Sequence, residues 1–264
     1  MLLQSSPEPH PTLSGSTVKN TGTYPAAPRS LPRGSRVDYA RENRAMRDLS
    51  KLYSVRFAPD DKARKDRVWR VLCRHFFQKY VERTDTVLDI GAGHCEFINH
   101  IEARRRIAFD LNPDVRANAA VGVEVVQGVS TDLSAFRDEL FDVVFVSNFF
   151  EHLPTKDDLL RTLAEVRRVL RPGGKLLILQ PNIRLAGGAY WDFVDHHLPL
   201  TERSLVEAVE LAGLQPTEVR ARFLPFTSKS LLPQHPLLVR LYLKVLPAQW
   251  LLGRQSWIVA VRPK

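Results

Sequence analysis

The sequence predicts an α/β fold in which a mostly parallel sheet is covered by helices on both faces. From residue 84 onward, short apolar runs alternate with helical stretches, which is typical of parallel strands joined by helices. Hydrophobic residues make up 44% and charged residues 25% of the 264 residues, the balance of a globular chain with a sizeable core. The strand candidates are Thr86–Ile90, Ile107–Asp110, Val123–Gln127, Asp142–Ser147, Lys175–Gln180, Thr217–Phe223 and Ser256–Val261.

Three helices are expected between these strands. The clearest covers residues 156–170, where apolar residues recur at helical spacing, Thr155 can cap the first turn and a Pro-Gly-Gly run follows. A second, over 202–212, ends just before Gly213. A third, short helix is expected over 96–103, soon after the first strand.

Three further regions flank or interrupt the main domain, which is expected to span residues 84–264. Residues 1–36 contain six prolines, six serines and few large apolar residues, so their composition predicts a disordered tail. Apolar residues at helical spacing predict a helical lead-in over 37–83. An insert at 229–253 is rich in leucine and is broken by three prolines. It is either helical and packed on the domain or at a dimer interface, or an interfacial helix that meets a lipid-linked substrate.

Composition also limits location and partners. No window offers the roughly 18 uninterrupted apolar residues of a spanning helix, and the first residues lack the apolar core of a signal peptide. We therefore expect a cytoplasmic protein, and a peripheral contact with the inner face of the membrane stays open. The net charge of +9 suits acidic partners, but no recognition motif accompanies it, so nucleic acid is not expected. Cys73 and Cys95 are too few for a disulfide framework or a cysteine-built zinc site.

The first motif is a glycine turn at residues 89–93, Asp-Ile-Gly-Ala-Gly, after the first strand. Glycines allow the backbone to pass close to a ligand, at the strand end where open parallel sheets bind ligands. Asp89 offers an acceptor for a cationic amine. A dinucleotide-binding loop would have glycine where this chain has Glu96, and a carboxylate there would repel a pyrophosphate. The turn therefore favours a cofactor without phosphates, with a plain strand-to-helix connection as the alternative.

Two further strand ends carry polar residues. Asp110 closes the second strand, where a carboxylate can accept both hydroxyls of a ribose. A solvated loop acid or a helix cap before Asn112 is the alternative. The apolar fourth strand gives way to Ser147 and Asn148, which are expected at the same cleft.

Taken in order, these motifs resemble the class I S-adenosylmethionine-dependent methyltransferases, and most of all the bacterial branch with small-molecule and sugar O-methyltransferases. The resemblance rests on Asp-x-Gly-x-Gly at 89–93, the strand-ending Asp110, Phe-Asp-Val-Val at 141–144, Glu-His-Leu at 151–153 and Leu-Arg-Pro-Gly-Gly-Lys at 170–175. It covers about residues 84–215, half of the chain. It implies a Rossmann-like, seven-stranded sheet and S-adenosylmethionine as the cofactor.

By position, the resemblance also implies the cofactor contacts. The methionine end would lie on the glycine turn, the ribose on the acid that closes the second strand, the adenine against the next two loops, and the methyl group near the end of the fourth strand. The implied residues are Asp89, Gly91, Ala92, Gly93, Asp110, Leu111, Val129, Asp132, Ser147 and Asn148. Val129 stands where many relatives have an acid for the adenine amino group, so Asp132 or a backbone carbonyl must replace that contact.

Residues 181–198, after the fifth strand, are too long for a simple connection and are rich in polar and aromatic residues. They are expected to form the wall of an acceptor pocket. His152, His196 and His197 are the candidates for a general base, with Asp195 to orient or assist one of them. In the alternative, His152 satisfies a loop backbone and one of the other two caps the following helix. No metal site is expected, because adjacent ligands have awkward geometry and no further ligand cluster is visible.

The sequence thus predicts an enzyme that moves a methyl group from S-adenosylmethionine to an oxygen of a small-molecule, saccharide or lipid-linked acceptor. Two alternatives stay open. One is a binding or regulatory protein that keeps the cofactor site but not turnover. The other is an RNA methyltransferase, although the Asn-Pro-Pro-Tyr-type signature of many base-directed relatives is missing. A homodimer is also left open.

Overall fold

The computed structural model of the protein describes residues 59–226 and 235–264. The expected tail, the first part of the helical lead-in and the start of the C-terminal insert lie outside these residues. Both cysteines of the chain are within them, and both are buried thiols that are not joined in a disulfide.

A seven-stranded sheet carries the fold. Its strands are β1 Thr86–Ile90, β2 Arg105–Asp110, β3 Val123–Gln127, β4 Phe141–Ser147, β5 Leu170–Pro181, β6 Gln215–Arg220 and β7 Gln255–Val261. In space they run β3-β2-β1-β4-β5-β7-β6, and only β7 runs antiparallel to its neighbours. The winding reverses between β1 and β4, which opens a crevice at the carboxyl ends of these two strands. The predicted mostly parallel, Rossmann-like fold is confirmed.

The described helices fill the connections between the strands. They are α1 Pro59–His75, α2 Val115–Asn118, α3 Lys156–Val169, α4 Ile183–Ala186, α5 Glu202–Leu211, α6 Pro236–Lys244 and α7 Leu246–Leu252, with 3₁₀ turns at Phe77–Tyr80, Phe150–His152 and Gly187–Asp192. Thr155 caps α3 as expected, since its hydroxyl accepts from Asp158 N at 3.1 Å. Within the described ranges, every helix is too short or too polar to cross a bilayer.

Two apolar layers hold the sheet, one on each face. Successive β1 residues point to opposite faces, so Val87 joins the layer under α1 and Leu88 joins the layer under α3 and α5. In the α1 layer, the Phe145 ring stacks on Phe97 with centroids 3.7 Å apart. The central strands are therefore buried on both sides, which explains their continuous apolar sequence.

The short helix expected over 96–103 does not form, and successive turns take its place. Gly93 and Cys95 have left-handed φ values of 52° and 61°, so the chain enters this segment outside the helical region. The backbone bond from Asn99 N to Cys95 O has helical spacing, but turn bonds interrupt the series.

Five strands differ in extent from their predictions, β5 and β6 the most. β5 begins at Leu170 and includes the Pro-Gly-Gly run, whereas the sequence predicts a strand that begins at Lys175. Gly173 N donates to Arg262 O at 2.8 Å and Arg262 N to Gly174 O at 2.9 Å, so the run pairs with the chain beyond β7. β6 ends at Arg220, where the chain bends, rather than three residues later.

Candidate active site

The glycine turn lies against the end of β2 and the segment after β4. Gly91 N donates to Phe109 O at 2.9 Å, and Ala92 N donates to the same oxygen at 3.3 Å. Gly91 has a φ of 69°, and a Cβ at this position would overlap the Phe149 ring. Both the backbone conformation and the neighbouring ring exclude a larger residue. The turn is therefore held at the crevice where the winding reverses.

Asp110 reaches from the end of β2 to this turn. Its two carboxylate oxygens accept hydrogen bonds from Gly93 N and Asn112 N, each at 2.8 Å. Each oxygen keeps a second lone pair, so each can still accept a hydroxyl. Burial raises the pKa of Asp110, and these backbone donors offset part of that rise. The structure thus joins the predicted ribose acceptor to the predicted methionine-binding turn.

Asp89 is buried at the carboxyl end of β1, beside the turn. Burial raises its pKa well above the usual value, and the charges of Glu96 and Asp110 raise it further. Three acidic side chains therefore interact around the turn. A cationic ligand would relieve their repulsion and favour their ionised forms.

Glu96 is not the uncompensated charge that the sequence suggests. Lys65 on α1 places Nζ 2.8 Å from Glu96 Oε1, and His94 Nδ1 lies 3.7 Å from the same oxygen. Burial alone would raise the pKa of Glu96, but the charge of Lys65 and the hydrogen bonds from His94 and Lys65 lower it to about 2. This pairing weakens the expected repulsion of a pyrophosphate. It also ties α1 to the segment that follows the glycine turn.

The predicted adenine-binding residues follow the ends of β2 and β3. Leu111 O accepts a hydrogen bond from Gln127 Nε2 at 3.0 Å, which joins the two loops. Val129 is half-buried. Asp132 is exposed, and its Oδ1 accepts from Ser134 N at 2.9 Å. The structure therefore gives Asp132 a local role in its own turn, and its contact with adenine stays a prediction.

Ser147 and Asn148 end β4 beside the glycine turn. Asn148 has a left-handed φ of 48°, and its backbone N donates to Leu179 O at 2.9 Å. Its side-chain Nδ2 donates to Ser147 Oγ at 2.9 Å. The backbone thus leaves β4 sharply at the place where a methyl donor is predicted.

His152 is fixed by Asp195 of residues 181–198, which we call the acceptor wall. Its Nδ1 lies 3.1 Å from Asp195 Oδ2 and 3.0 Å from the backbone oxygen of the same residue. Nε2 is then the nitrogen that can take up a proton. Burial alone would lower the pKa of His152, but the charge of Glu151 and the charge and hydrogen bonds of Asp195 raise it. This is the arrangement of a base held by an orienting carboxylate.

Glu151, to which the sequence motifs assign no role, is the buried centre of this region. Gln180 Nε2, near the end of β5, donates to Glu151 Oε2 at 2.9 Å, and His152 Nε2 lies 3.9 Å from Glu151 Oε1. The backbone N atoms of His197 and Leu198 donate to the Glu151 carbonyl oxygen at 2.7 and 3.1 Å. Burial raises the pKa of Glu151, and the charge of His152 opposes that rise. The sequence signal that could have identified Glu151 is a carboxylate inside an apolar run after a central strand.

The other two candidate histidines have different surroundings. His196 is buried among rings: Phe193 stacks on it and Tyr190 meets it edge-on, each with centroids 4.9 Å apart. The His152 ring is 5.0 Å from it. His197 is exposed. The structure therefore brings His152 and His196 together and leaves the His197 side chain in solvent.

Glu151, His152 and His196 each offer a ligand atom, and these atoms lie within 4.8 Å of one another. One carboxylate and two imidazoles suit a divalent transition metal. A protonated His152 would equally balance the charge of Glu151. The sequence-based expectation of no metal therefore stays a prediction.

Residues 88–178 match a family described as a methyltransferase domain. The match begins in β1 and ends in β5, and it includes the glycine turn, Asp110, Glu151 and His152. Outside it lie α1, the acceptor wall and the C-terminal helices.

Two named proteins are similar to this chain over part of its length. A protein of Aspergillus luteorubrus named "Probable methyltransferase ltbC" is 31% identical over 118 residues, which are 38% of this chain and 41% of that protein. The chain thus spans less than half of this relative. The "Demethylmenaquinone methyltransferase" of Mycobacterium tuberculosis is 29% identical over 165 residues, 60% of this chain and 67% of that protein.

Solved structures share the fold. A SAM-dependent methyltransferase from Archaeoglobus fulgidus gives a TM-score of 0.56 at 20% identity and covers 75% of this chain and 94% of that one. Another, from Methanosarcina mazei, gives a TM-score of 0.53 at 17% identity and covers 71% and 96%. The family match thus shows a methyltransferase domain over residues 88–178, and the sheet order and these structures show the fold of the S-adenosylmethionine-dependent methyltransferases.

Proposed function

We propose that the protein transfers the methyl group of S-adenosylmethionine to an oxygen of a small-molecule, saccharide or lipid-linked acceptor. The observation that carries this proposal is the His152–Asp195 pair between the end of β4 and the acceptor wall. A hydroxyl must lose its proton as its oxygen attacks, and a fixed imidazole provides a place for that proton.

The acids around the glycine turn suit the charge of the cofactor. When bound, S-adenosylmethionine supplies a methyl group on a sulfonium, and the acceptor oxygen takes the place of the sulfur on the methyl carbon. Burial raises the pKa values of Asp89 and Asp110, and both become easier to ionise beside the positive sulfonium and ammonium groups. Asp110 also offers one free lone pair on each oxygen to the ribose hydroxyls.

The residues on the acceptor side align the hydroxyl and exclude water. His152 Nε2 takes the hydroxyl proton, while Asp195 holds the ring through Nδ1 and stabilises the imidazolium that forms. Buried Tyr190 and the stacked Phe193–His196 pair close the wall behind them.

The acceptor is identified with trideuteromethyl S-adenosylmethionine and a metabolite extract from a strain that lacks the gene. Mass spectrometry should find the label on an oxygen of one extract component, and demethylmenaquinone is included because one relative carries its name. Label on carbon, on nitrogen or in RNA would overturn the oxygen assignment. Tight cofactor binding without any labelled product would favour a regulatory protein.

His152→Ala, with His197→Ala as the matched control, tests the base. His152→Ala should slow single-turnover transfer by roughly 10²–10⁴-fold and leave affinity for S-adenosylhomocysteine nearly unchanged, because the base touches the acceptor. His197→Ala should transfer at a near-normal rate, because its side chain is exposed. Equal rates in the two variants would show that His152 is not the base.

The pH profile separates a base from a structural histidine. A base must be deprotonated, so the wild-type rate should rise with pH through a pKa that lies above the ordinary value of 6.5. Asp195→Asn keeps a hydrogen-bond acceptor but removes the charge that raises the pKa of His152. Its rate should therefore reach the plateau at lower pH, and an unshifted profile would contradict the pairing.

A further inference from the structure

The helices α6 and α7 of the C-terminal insert have a docked inner face. Val239, Tyr242 and Leu243 pack against the core layer of α1, and Tyr242 OH donates to Phe223 O at 2.6 Å. Gln249 on α7 is buried and donates to Leu243 O at 3.1 Å. The two helices are thus held on the domain in a fixed orientation.

The outer face of the same two helices is apolar and exposed. Seven large apolar side chains between residues 237 and 251 are 37–71% exposed, with Trp250 and Leu251 at 71% and 69%. We call them the apolar patch: Leu237, Leu238, Leu241, Val245, Leu246, Trp250 and Leu251. A concentration of this kind marks an interaction site, whereas single exposed apolar residues are ordinary.

The stretch of sequence that carries the apolar patch contains cations and no carboxylates. Residues 235–254 contain three Lys or Arg and neither Asp nor Glu. α1 packs against α6, which brings Arg74 of α1 to the helix that carries Arg240 and Lys244. The charges of these three residues add to partial burial in lowering the pKa of His75. Within 59–226 and 235–264, Arg74, Arg240 and Lys244 form no ion pair with a carboxylate.

We propose that α6 and α7 dock the protein on the surface of an anionic phospholipid bilayer. The apolar patch enters the boundary between headgroups and acyl chains, while Arg74, Arg240 and Lys244 meet the lipid phosphates. Trp250 suits this boundary, because an indole has an apolar body and a polar N–H, and Arg222 lies 5.7 Å over its ring. With nine and seven residues, the two helices lie on the membrane and do not cross it.

An anionic surface fits this patch better than a second copy of the chain. A symmetric dimer would place each patch against itself, so the cations of both copies would face each other. The patch segment has no carboxylate to offset that repulsion. Lipid phosphates supply the missing negative charge, and acyl chains cover the leucines. This inference does not depend on the proposed methyl transfer.

Vesicle flotation of the full chain, without cofactor or acceptor, tests the proposal. The protein should float with vesicles of equal parts phosphatidylcholine and phosphatidylglycerol, and far less with phosphatidylcholine alone. Leu241→Ser combined with Trp250→Ser should lower partitioning by at least about tenfold, because two inserted side chains become polar. Arg240→Gln combined with Lys244→Gln should lower it by about 30-fold, roughly fivefold for each cation near the surface.

Matched controls change similar residues elsewhere on the surface. Leu211→Ser with Val219→Ser removes exposed apolar side chains from α5 and β6, and Arg116→Gln with Arg137→Gln removes two exposed cations. Both should float like the wild type. If the apolar variant melts at a lower temperature, the charge variant still decides, because its substitutions lie on exposed side chains.

Three outcomes would overturn the proposal. In the first, the wild type does not bind anionic vesicles. In the second, the patch variants float as well as their controls. In the third, light scattering finds a dimer that the apolar variant disrupts, and neither the wild type nor any variant binds vesicles. The last outcome would assign the apolar patch to a second copy.

Discussion

Removing the carboxylate of Asp110 should weaken S-adenosylhomocysteine binding by about 10²–10⁴-fold. Each carboxylate oxygen already accepts one backbone N–H, from Gly93 or Asn112, and keeps a lone pair for one ribose hydroxyl. A hydrogen bond to a charged group is worth about 1.5–3 kcal/mol, so two give about 3–6 kcal/mol. Since about 1.4 kcal/mol corresponds to a tenfold change in affinity, Asp110→Ala should show a loss in that range.

Calorimetry on two ligands distinguishes a direct contact from a disturbed glycine turn, because Asp110→Ala also deprives Gly93 N of its partner. The second ligand is the 2′,3′-dideoxy analogue of S-adenosylhomocysteine. The wild type should bind the analogue far more weakly, whereas Asp110→Ala should bind both ligands equally. The same measurements at lower pH should show a smaller preference of the wild type for the full ribose, because a protonated Asp110 no longer offers a charged acceptor.

A variant that still prefers the full ribose as strongly as the wild type does would refute the assignment of Asp110. Weak binding of both ligands, with the preference intact, would instead place Asp110 as a support of the glycine turn. Neither result shows coupling between the ligand change and the mutation, and the two differ in the absolute affinity of the variant.

Three other predictions test the surroundings of the site. Because the pKa of Glu96 falls from 4.5 to about 2, its ionised form stabilises the fold above about pH 4.5, and that stability is lost as the pH falls toward 2. Urea titrations should show a smaller loss over this range in Lys65→Met, because removal of the Lys65 charge brings the native pKa of Glu96 closer to its unfolded value. In a Phe149→Ala background, which removes the overlap with the ring, Gly91→Ala should still lower the free energy of unfolding by about 1–3 kcal/mol, because residue 91 has a left-handed backbone. Chelator-treated protein should keep its turnover. Mass spectrometry that finds a stoichiometric metal in the wild type and none in Glu151→Gln would contradict the expectation of no metal.

Elements set by local pattern could be predicted, and elements set by neighbours could not. The bounds of β1 and β3 follow from their apolar runs and agree with the structure. The segment over 96–103 has helical spacing, but the left-handed residues before it, imposed by the glycine turn, replace a helix with turns. β5 extends into a glycine run because the chain beyond β7 offers it hydrogen bonds, which no local pattern reveals.

The site divides in the same way. The glycine turn and Asp110 are near each other because parallel strands end at one edge, so sequence order and the sheet rule suffice to join them. Lys65 and Glu96 meet only after α1 has packed over the sheet. The choice of His152 as the partner of Asp195 likewise depends on how the acceptor wall folds back, and the sequence left three histidines open.

The acceptor side is built differently from the cofactor side, and this explains why the sequence leaves the acceptor unnamed. The predicted cofactor contacts come from backbone and acids fixed by the sheet, where a change disturbs the fold. The acceptor wall is attached through the Glu151 carbonyl oxygen, which binds two backbone N–H groups of the wall whatever side chains those residues carry. Side chains such as Trp191, which is half exposed, can therefore vary while the wall stays attached. Tyr190 and His196 of the same wall are fixed by burial, so the proposed choice of acceptor rests on its exposed side chains, which leave no signature in the sequence.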